Sequence, residues 1–425
     1  MCDMKDSGVE WLGCIPEDYN IASIGSLFTI KKDIIGREPE TVLSITQTGV
    51  KPKDLTSNEG QNASSYVNYQ IVNVGDFAMN HMDLLTGWID ISKYEGVTSP
   101  DYRVFTLNDK EMTAEYFLRV FQHYYSNKVF FGFGQGVATL GRWRLPAINF
   151  KRIEIPVPPI EEQKKIVRAI DESVGKIEKL KENVQAQIEK LKAYKQSLIT
   201  EVVTKGLDPN ISMKDSGVEW IGEIPEHWNV IATKHLFNIL SGATPKSEII
   251  ENWDGKITWI TPADYKTEDV YVSEGRRNIS ETGFQSCSTS LIPSNSIIFS
   301  KRAPIGAVAI NTKELCTNQG CLSCVNKDEK VNYVKYFYYV MAIATKQYEL
   351  LGSGTTFKEI SASVFSNFLL PRPAMEEQIM IVEYLDNKCS NIDRLIAIKQ
   401  SKIEKLEQYK RSIIYEYVTG KREVS

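Results

Sequence analysis

The sequence predicts an α+β chain: two α+β domains joined by two long antiparallel coiled-coil helices, with pseudo-two-fold symmetry within one chain. Three observations predict it. The ends of the chain's two halves repeat, each half closes on a long apolar stripe at helical spacing, and the segments between are rich in short β-type runs. Met4 to Asn20 reads MKDSGVEWLGCIPEDYN and Met213 to Asn229 reads MKDSGVEWIGEIPEHWN, thirteen identities in seventeen positions. Pro156 to Asp171 (PVPPIEEQKKIVRAID) matches Pro371 to Asp386 (PRPAMEEQIMIVEYLD), and Ile188 to Thr204 matches Ile403 to Thr419. A fixed-period repeat is the first thing to seek in a chain, because it sets the whole architecture. The stretches between, 21–155 and 230–370, show no relation by eye.

The helices come next. After Pro159, residues Ile166, Ile170, Val174, Ile177, Leu180, Val184, Ile188, Leu191, Tyr194, Leu198 and Val202 recur at steps of three and four, which is a heptad-like stripe. The second copy offers Ile381, Leu385, Cys389, Ile392, Leu395, Ile403, Leu406, Tyr409, Ile413 and Tyr417, interrupted by Lys399 where the first copy has Val184. Pro158-Pro159 and Glu161-Glu162 suit a helix start. Gly206, Pro209 and Gly420 mark the ends. Glu161/Lys165, Glu172/Lys176 and Glu407/Arg411 have the spacing of favourable exposed pairs. Each helix is about 45 residues, or roughly 65 Å at ~1.5 Å per residue. A helix with one apolar stripe needs a partner stripe. The other copy supplies one, antiparallel because the link between the halves is short; a second chain could supply it instead.

The middles carry β-type runs at Tyr69–Val74, Asp101–Leu107, Lys256–Ile260 and Ser296–Ser300, and helical stretches at Ala114–Ser126 and Val331–Leu350. This divides the chain into 1–155, a helix with linker at 156–212, 213–370, and a second helix at 371–425.

Composition narrows the function. The 425 residues are 42% hydrophobic and 24% charged, ordinary for folded soluble protein. No window approaches the ~20 apolar residues of a spanning helix, so no membrane partner is expected. The opening Met1-Cys2-Asp3-Met4-Lys5-Asp6 lacks the apolar core of a signal peptide. Seven cysteines without framework spacing fit a reducing cytoplasm. The net charge is −4, so nucleic-acid binding must rest on local patches. Two patches qualify. Lys128 to Arg152 holds five cations and no acid, interleaved with Phe130, Phe131, Phe133 and Trp143; Thr282 to Lys313 likewise lacks acids and carries Lys301, Arg302 and Lys313. A Gly-Ser-Gly loop ending at Lys358 follows. Lys and Arg neutralise phosphates, and Arg, Gln and Asn read base edges. The candidate DNA contacts are therefore Lys128, Gln135, Arg142 and Arg144 in the first domain, and Lys246, Lys301, Arg302 and Lys358 in the second.

Catalytic motifs fail. Phe130-Phe131-Gly132-Phe133-Gly134 fits a glycine turn used for S-adenosylmethionine, but no D/N-P-P-Y/F tetrapeptide accompanies it. There is no P-loop, H-E-x-x-H or G-x-S-x-G, and Pro100-Asp101 lacks the D/E-x-K of a nuclease. Cys316, Cys321 and Cys324 have C-x4-C-x2-C spacing but no fourth ligand. No catalytic residue, cofactor or metal site is expected.

The two D-S-G-V-E-W-[L/I]-G-x-I-P-E starts, the two P-x-P-x-x-E-E-Q helix entries and the paired helical ends resemble the specificity (S) subunits of type I restriction–modification systems, over essentially the whole chain. Ser241-Gly242-Ala243-Thr244-Pro245, Trp259-Ile260-Thr261-Pro262, Lys301 to Gly306 and Thr317 to Gly320 look like second-half segments of that family, and Gly75-Asp76-Phe77 through Tyr102 like a first-half version. The resemblance implies a non-catalytic protein. It implies two target recognition domains, each reading half of a bipartite asymmetric site on double-stranded DNA, and a helix pair acting as ruler. It also implies docking of two methyltransferase (M) subunits, with restriction (R) motor-nuclease subunits attached through them. Half-sites one helical turn apart lie roughly 34 Å from each other, a distance such helices could address. The competing readings are a degenerate DNA methyltransferase or nuclease, and a coiled-coil spacer with heads for protein or glycan.

Overall fold

The computed structural model describes residues 3–56, 63–136, 143–266, 268–302, 304–354 and 358–424. Two compact units emerge: Met1–Gln185 with Gln400–Ser425, and Ala186–Lys399. Each contains one globular head and parts of both long helices, Ile160–Lys205 and Met375–Val418.

In the first unit the central sheet runs in the order Phe28–Lys31, Arg103–Leu107, Phe77–Met79, Ile89–Ile91. All three pairings are antiparallel. The helix Ala114–Ser126 packs Phe117, Val120 and Phe121 onto Phe28, Phe77 and Phe105 of that sheet. In the second unit the order is Phe237–Ser241, Cys321–Asn326, Ile297–Ser300, Val308–Asn311, Tyr271–Val272, the last pair parallel. A three-stranded sheet, Arg277–Ile279, Trp253–Ile260 and Cys316–Thr317, lies beside it in the chain's fold. The first four positions of the larger sheet follow one plan in both heads, although their sequences show no relation by eye. Sheet order constrains only which face of each strand is apolar, so widely different residues satisfy it. The predicted stretch Val331–Leu350 breaks into two helices, Val334–Ile343 and Thr345–Leu351.

Both long helices form where their periodicity places them, and both stop at a glycine with positive φ, Gly206 (76°) and Gly420 (69°). Direction is written in the pairings. In the first unit Lys410 reaches Glu178 at 2.6 Å and Lys181 reaches Glu407, so one helix ascends as the other descends. In the second unit Lys195 meets Asp393 at 2.7 Å and Lys399 meets Gln187. Each unit therefore holds an antiparallel pair. Ile166, Ile170 and Ile177 share the first core with Ile413 and Tyr417; Leu198 and Val202 share the second with Ile381, Leu385, Cys389 and Ile392. Each such buried side chain is worth about 1.5–3 kcal/mol.

The stripe departs from its prediction at four places. Leu180, Tyr194, Leu395 and Tyr409 are 45–57% exposed. Lys181 and Lys195 take the inward places beside Leu180 and Tyr194 and end in the cross-helix ion pairs just described. Their stems cover apolar surface while their heads reach carboxylates. Half-exposed pairs of this kind add at most about 1 kcal/mol each, so they select register more than they stabilise. Two of the three predicted intrahelical pairs are also redirected: Glu161 takes Lys164 at 2.7 Å, and Glu407 takes Lys181.

The repeated motifs are the joints between head and helix. Gln163 accepts from the Thr113 backbone N–H at 2.9 Å and donates to the Pro158 carbonyl; Gln378 accepts from Tyr333 N–H at 2.7 Å and donates to the Pro373 carbonyl. Each buried glutamine thus ties a head helix to a long helix. Tyr116 donates to the Val418 carbonyl at 3.0 Å, and Tyr336 to that of Val203 at 3.0 Å. Tyr19 donates to Glu162 at 3.0 Å, and its counterpart Trp228 donates to Glu377 at 3.1 Å. A Cβ on Gly420 would press into Pro16 and Tyr19, and one on Gly206 would crowd Trp228. The ends of the halves match closely because one joint is built twice.

Candidate functional site

In the first head Gln135 and Arg144 stand opposite each other in a two-stranded ladder, Gln135–Gly136 with Trp143–Arg144. Both side chains are exposed. Trp143 anchors the ladder: its Nε1 donates to the Phe131 carbonyl at 2.7 Å and its ring stacks on Phe131 at 5.1 Å. A Cβ on Gly134 or Gly136 would collide with that indole. Gly134 of the F-x-G-x-G run, together with Gly136, therefore seats a tryptophan. Lys128 is exposed, holds a left-handed backbone (φ 61°), and borders a different cleft of about 600 Å³ with Lys410 and Arg411. Arg142 lies outside the described residues.

Sequence reasoning missed the groups behind Arg144. Arg103 and His81 line one cleft of about 530 Å³ with it. Arg103 is only 4% exposed, and burial lowers its pKa to about 10, so it remains a cation at neutral pH. Its Nη2 donates to the Leu145 carbonyl at 2.8 Å and the guanidinium lies 4.6 Å from the Phe150 ring centre. Among the described residues its Nη1 and the Nδ1 of His81, both buried, find no hydrogen-bond partner. The available signal was an arginine opening the mostly apolar strand R-V-F-T-L.

In the second head Lys246 is exposed on a loop whose carbonyl is held by Asn252 Nδ2 (3.2 Å) and Trp253 Nε1 (3.3 Å). Lys358 is exposed and donates to the Glu349 carbonyl at 3.4 Å. Lys301 and Arg302 depart from expectation. Their sequence neighbourhood is acid-free, yet Glu359 reaches Lys301 at 2.7 Å and Arg302 at 3.3 Å. The two cations hold the Glu359 carboxyl below its usual range. Local composition cannot see an acid that arrives from far along the chain. Lys246, Lys301, Arg302 and Lys358 all belong to the second unit, whereas Lys128, Gln135 and Arg144 belong to the first.

The three closely spaced cysteines diverge. Cys324 lies in the main core of its head, Cys321 in a second cluster with Tyr265, and Cys316 in a third with Trp253 and Trp259. Burial raises the thiols, Cys321 to about 12 and Cys316 to about 11. Among the described residues no group of three His, Cys, Asp or Glu is placed to hold a metal, and no helix is long and apolar enough to cross a membrane.

Two histidines make a pH prediction. Burial first, then Arg103 and Arg144, pulls His81 down to about 3; burial, then Lys421, pulls His123 down to about 4. Both stay neutral in the fold while the unfolded chain protonates near 6.5. The unfolded state therefore binds more protons below pH 6.5, and stability falls with pH through that window. The expected loss is about 2 kcal/mol per histidine by pH 5. Urea midpoints at pH 7.5 and 5 check it; the double variant His81→Gln, His123→Gln should lose most of the dependence, and an unchanged dependence contradicts the assignment.

Comparison with known proteins adds an independent line. Residues 16–190 and 225–408 match the family described as "Type I restriction modification DNA specificity domain". The putative type I restriction enzyme MjaX specificity subunit of Methanocaldococcus jannaschii is 26% identical, covering 96% of this chain and 95% of its own. A solved chain from work on complex assembly and conformational transition of the type I R-M system superposes with TM-score 0.72 at 15% identity, covering 96% of this chain and 99% of that one. The HsdS subunit of Thermoanaerobacter tengcongensis superposes with TM-score 0.53 at 15% identity, covering 96% and 98%. At that identity the structural likeness carries the fold alone.

Proposed function

Because the chain belongs to the type I restriction–modification DNA specificity family, we propose that it is the non-catalytic subunit that reads a bipartite, asymmetric duplex and brings two methyltransferase subunits, and restriction subunits through them, to that site. The observation that carries this reading is the pairing of one repeated joint with two different heads. Gln163 and Gln378, Tyr116 and Tyr336, and Tyr19 and Trp228 perform the same tasks. The heads they carry present different exposed polar loops. Identical mounting with divergent faces is what a reader of two unlike half-sites requires. The target recognition domains are taken as 1–155 and 213–370, with helical segments at 156–212 and 371–425. Lys128, Gln135, Arg142 and Arg144 in the first domain, with Lys246, Lys301, Arg302 and Lys358 in the second, are the proposed contacts. Phosphate contacts position a protein and base contacts specify, so the cations serve mainly the former and Gln135 the latter. The exposed apolar side chains of the long helices, Leu180 and Tyr409 in the first unit and Tyr194, Leu395 and Ile398 in the second, offer each unit its own apolar surface for a partner subunit.

Selection from a randomised duplex pool tests the reading. The chain assembled with its methyltransferase subunits should enrich one motif of two short specified blocks around an unspecified gap. Enrichment of nothing, with the partners present, would contradict it and favour a spacer protein.

A further inference from the structure

The two heads differ at one equivalent place in a way that assigns a ligand. In the first head Arg103 faces Met79 across the sheet; in the second the matching pair is Leu322 and Phe299. Two residues beyond Met79 is His81, whose carbonyl accepts from Leu145 N–H at 2.9 Å; two beyond Phe299 is Lys301, whose carbonyl accepts from Ile360 N–H at 3.0 Å. Arg144 immediately precedes Leu145, and Glu359 immediately precedes Ile360. Leu322, Lys301 and Glu359 in the second head thus become Arg103, His81 and Arg144 in the first. The second head closes this place with the Lys301–Glu359 ion pair over an apolar floor. The first head has a buried arginine for the leucine and an arginine for the glutamate.

The first head's cleft consequently carries more positive than negative charge among the described residues. Its other charged lining residues are Lys31, which is engaged by Asp76 at 2.6 Å, the exposed Lys32, and Asp101. Among the described residues neither Arg103 nor Arg144 has an ion-pair partner. Leu322 shows that the fold needs no cation at the Arg103 position, and a buried charge without a partner is costly. Among the described residues only the Leu145 carbonyl and the Phe150 ring face the buried guanidinium, so an anionic ligand would offset that cost. Phosphodiester oxygens are anionic acceptors suited to a guanidinium.

We propose that the cleft formed by His81, Arg103 and Arg144 holds a backbone phosphate of the duplex. Arg144 at the exposed rim donates to it, and Arg103 supplies buried positive charge beneath. At the equivalent place in the second head Glu359 already engages Lys301 and Arg302, so a phosphate is held less strongly there and backbone grip is unequal between the two half-sites. This inference rests on the DNA-reading function proposed above.

The test uses the chain assembled with methyltransferase subunits, a fluorescent duplex carrying its methylation target, and an unrelated duplex of equal length, titrated over a range of salt. Arg144→Glu and Arg103→Leu each install what the second head carries. At about 0.1 M salt, Arg144→Glu should weaken both duplexes by a similar factor of about tenfold or more, the scale of one charge-assisted contact. The slope of log affinity against log salt should fall by about one, the signature of one lost phosphate contact. Arg103→Leu should act in the same direction with an unchanged thermal midpoint or a higher one. An unchanged slope in Arg144→Glu overturns the proposal. So does a loss confined to the target duplex, which would mean base reading. Arg144-dependent binding of inorganic phosphate without any change in duplex affinity overturns it too. Wild-type complex that binds neither duplex defeats the parent reading, whereas wild-type binding matched by both variants defeats only this subsite.

Discussion

Trp228→Ala is expected to destabilise the second unit by about 3–5 kcal/mol, the usual cost of removing a large buried aromatic. Trp228 has no exposed surface and sits in the core that joins Ile224, Leu236 and Leu370 of the head to Val202 and Val203 of the first long helix. Its Nε1 donates to both oxygens of Glu377 at 3.1 Å, and Glu377 also takes His227 Nε2 at 2.9 Å. Truncation opens a cavity and removes a donor from a carboxylate that is mostly shielded from water. Trp228→Phe separates these terms: it retains most of the packing and should cost about 1–2 kcal/mol for the lost bond. Urea unfolding followed by tryptophan fluorescence and circular dichroism measures both variants. A loss below about 1 kcal/mol for Trp228→Ala would show that the joint is not where the head is secured. Methyltransferase docking offers a second readout, since a head that is loose on its helices should still fold yet bind duplex less selectively.

The parts of this architecture that were readable in the sequence are those held by period and repetition. Ile166, Ile170, Ile177, Ile381, Leu385 and Ile413 are buried as their spacing demanded, because helical periodicity converts directly into a face. The helix limits were readable from Pro159, Gly206 and Gly420, residues whose backbone preferences act locally. Leu180 and Tyr194 were misplaced for a physical reason. A stripe read by hydrophobicity ignores lysines, yet the long stems of Lys181 and Lys195 fill seam positions as well as an apolar residue does. The common sheet order of the two heads was invisible because strands specify an alternating face, not an identity. The candidate site was legible only as exposed, local features. Gln135 and Arg144 lie in a loop whose composition announces it, and the ladder brings them together. The Lys301–Glu359 pair and the Arg103–His81–Arg144 cluster join residues tens of positions apart, and only the fold discloses them.

The second large effect concerns specificity. Exchanging residues 21–155 for the corresponding middle of another member of the family is expected to change one block of the recognised sequence and leave the other block untouched. The physical basis is the separateness of the two cores. Every buried member of the first head's main cluster belongs to the first unit, and every member of the second head's main cluster to the second. The joint residues that a graft must satisfy, Tyr19, Gln163 and Val418, lie outside the exchanged segment, while Tyr116 within it must be supplied by the donor. A donor lacking that tyrosine should lose about 1 kcal/mol for the bond to Val418.

Mapping methylated bases across the genome of cells carrying the chain with its methyltransferase subunits tests the central claim, that each head reads its own half of one site. With the native chain the map should contain a bipartite asymmetric motif that is absent from cells lacking the gene. With the exchanged first head one block of that motif should be replaced and the other retained. A map in which both blocks change together, or in which the motif persists without the gene, would contradict the account.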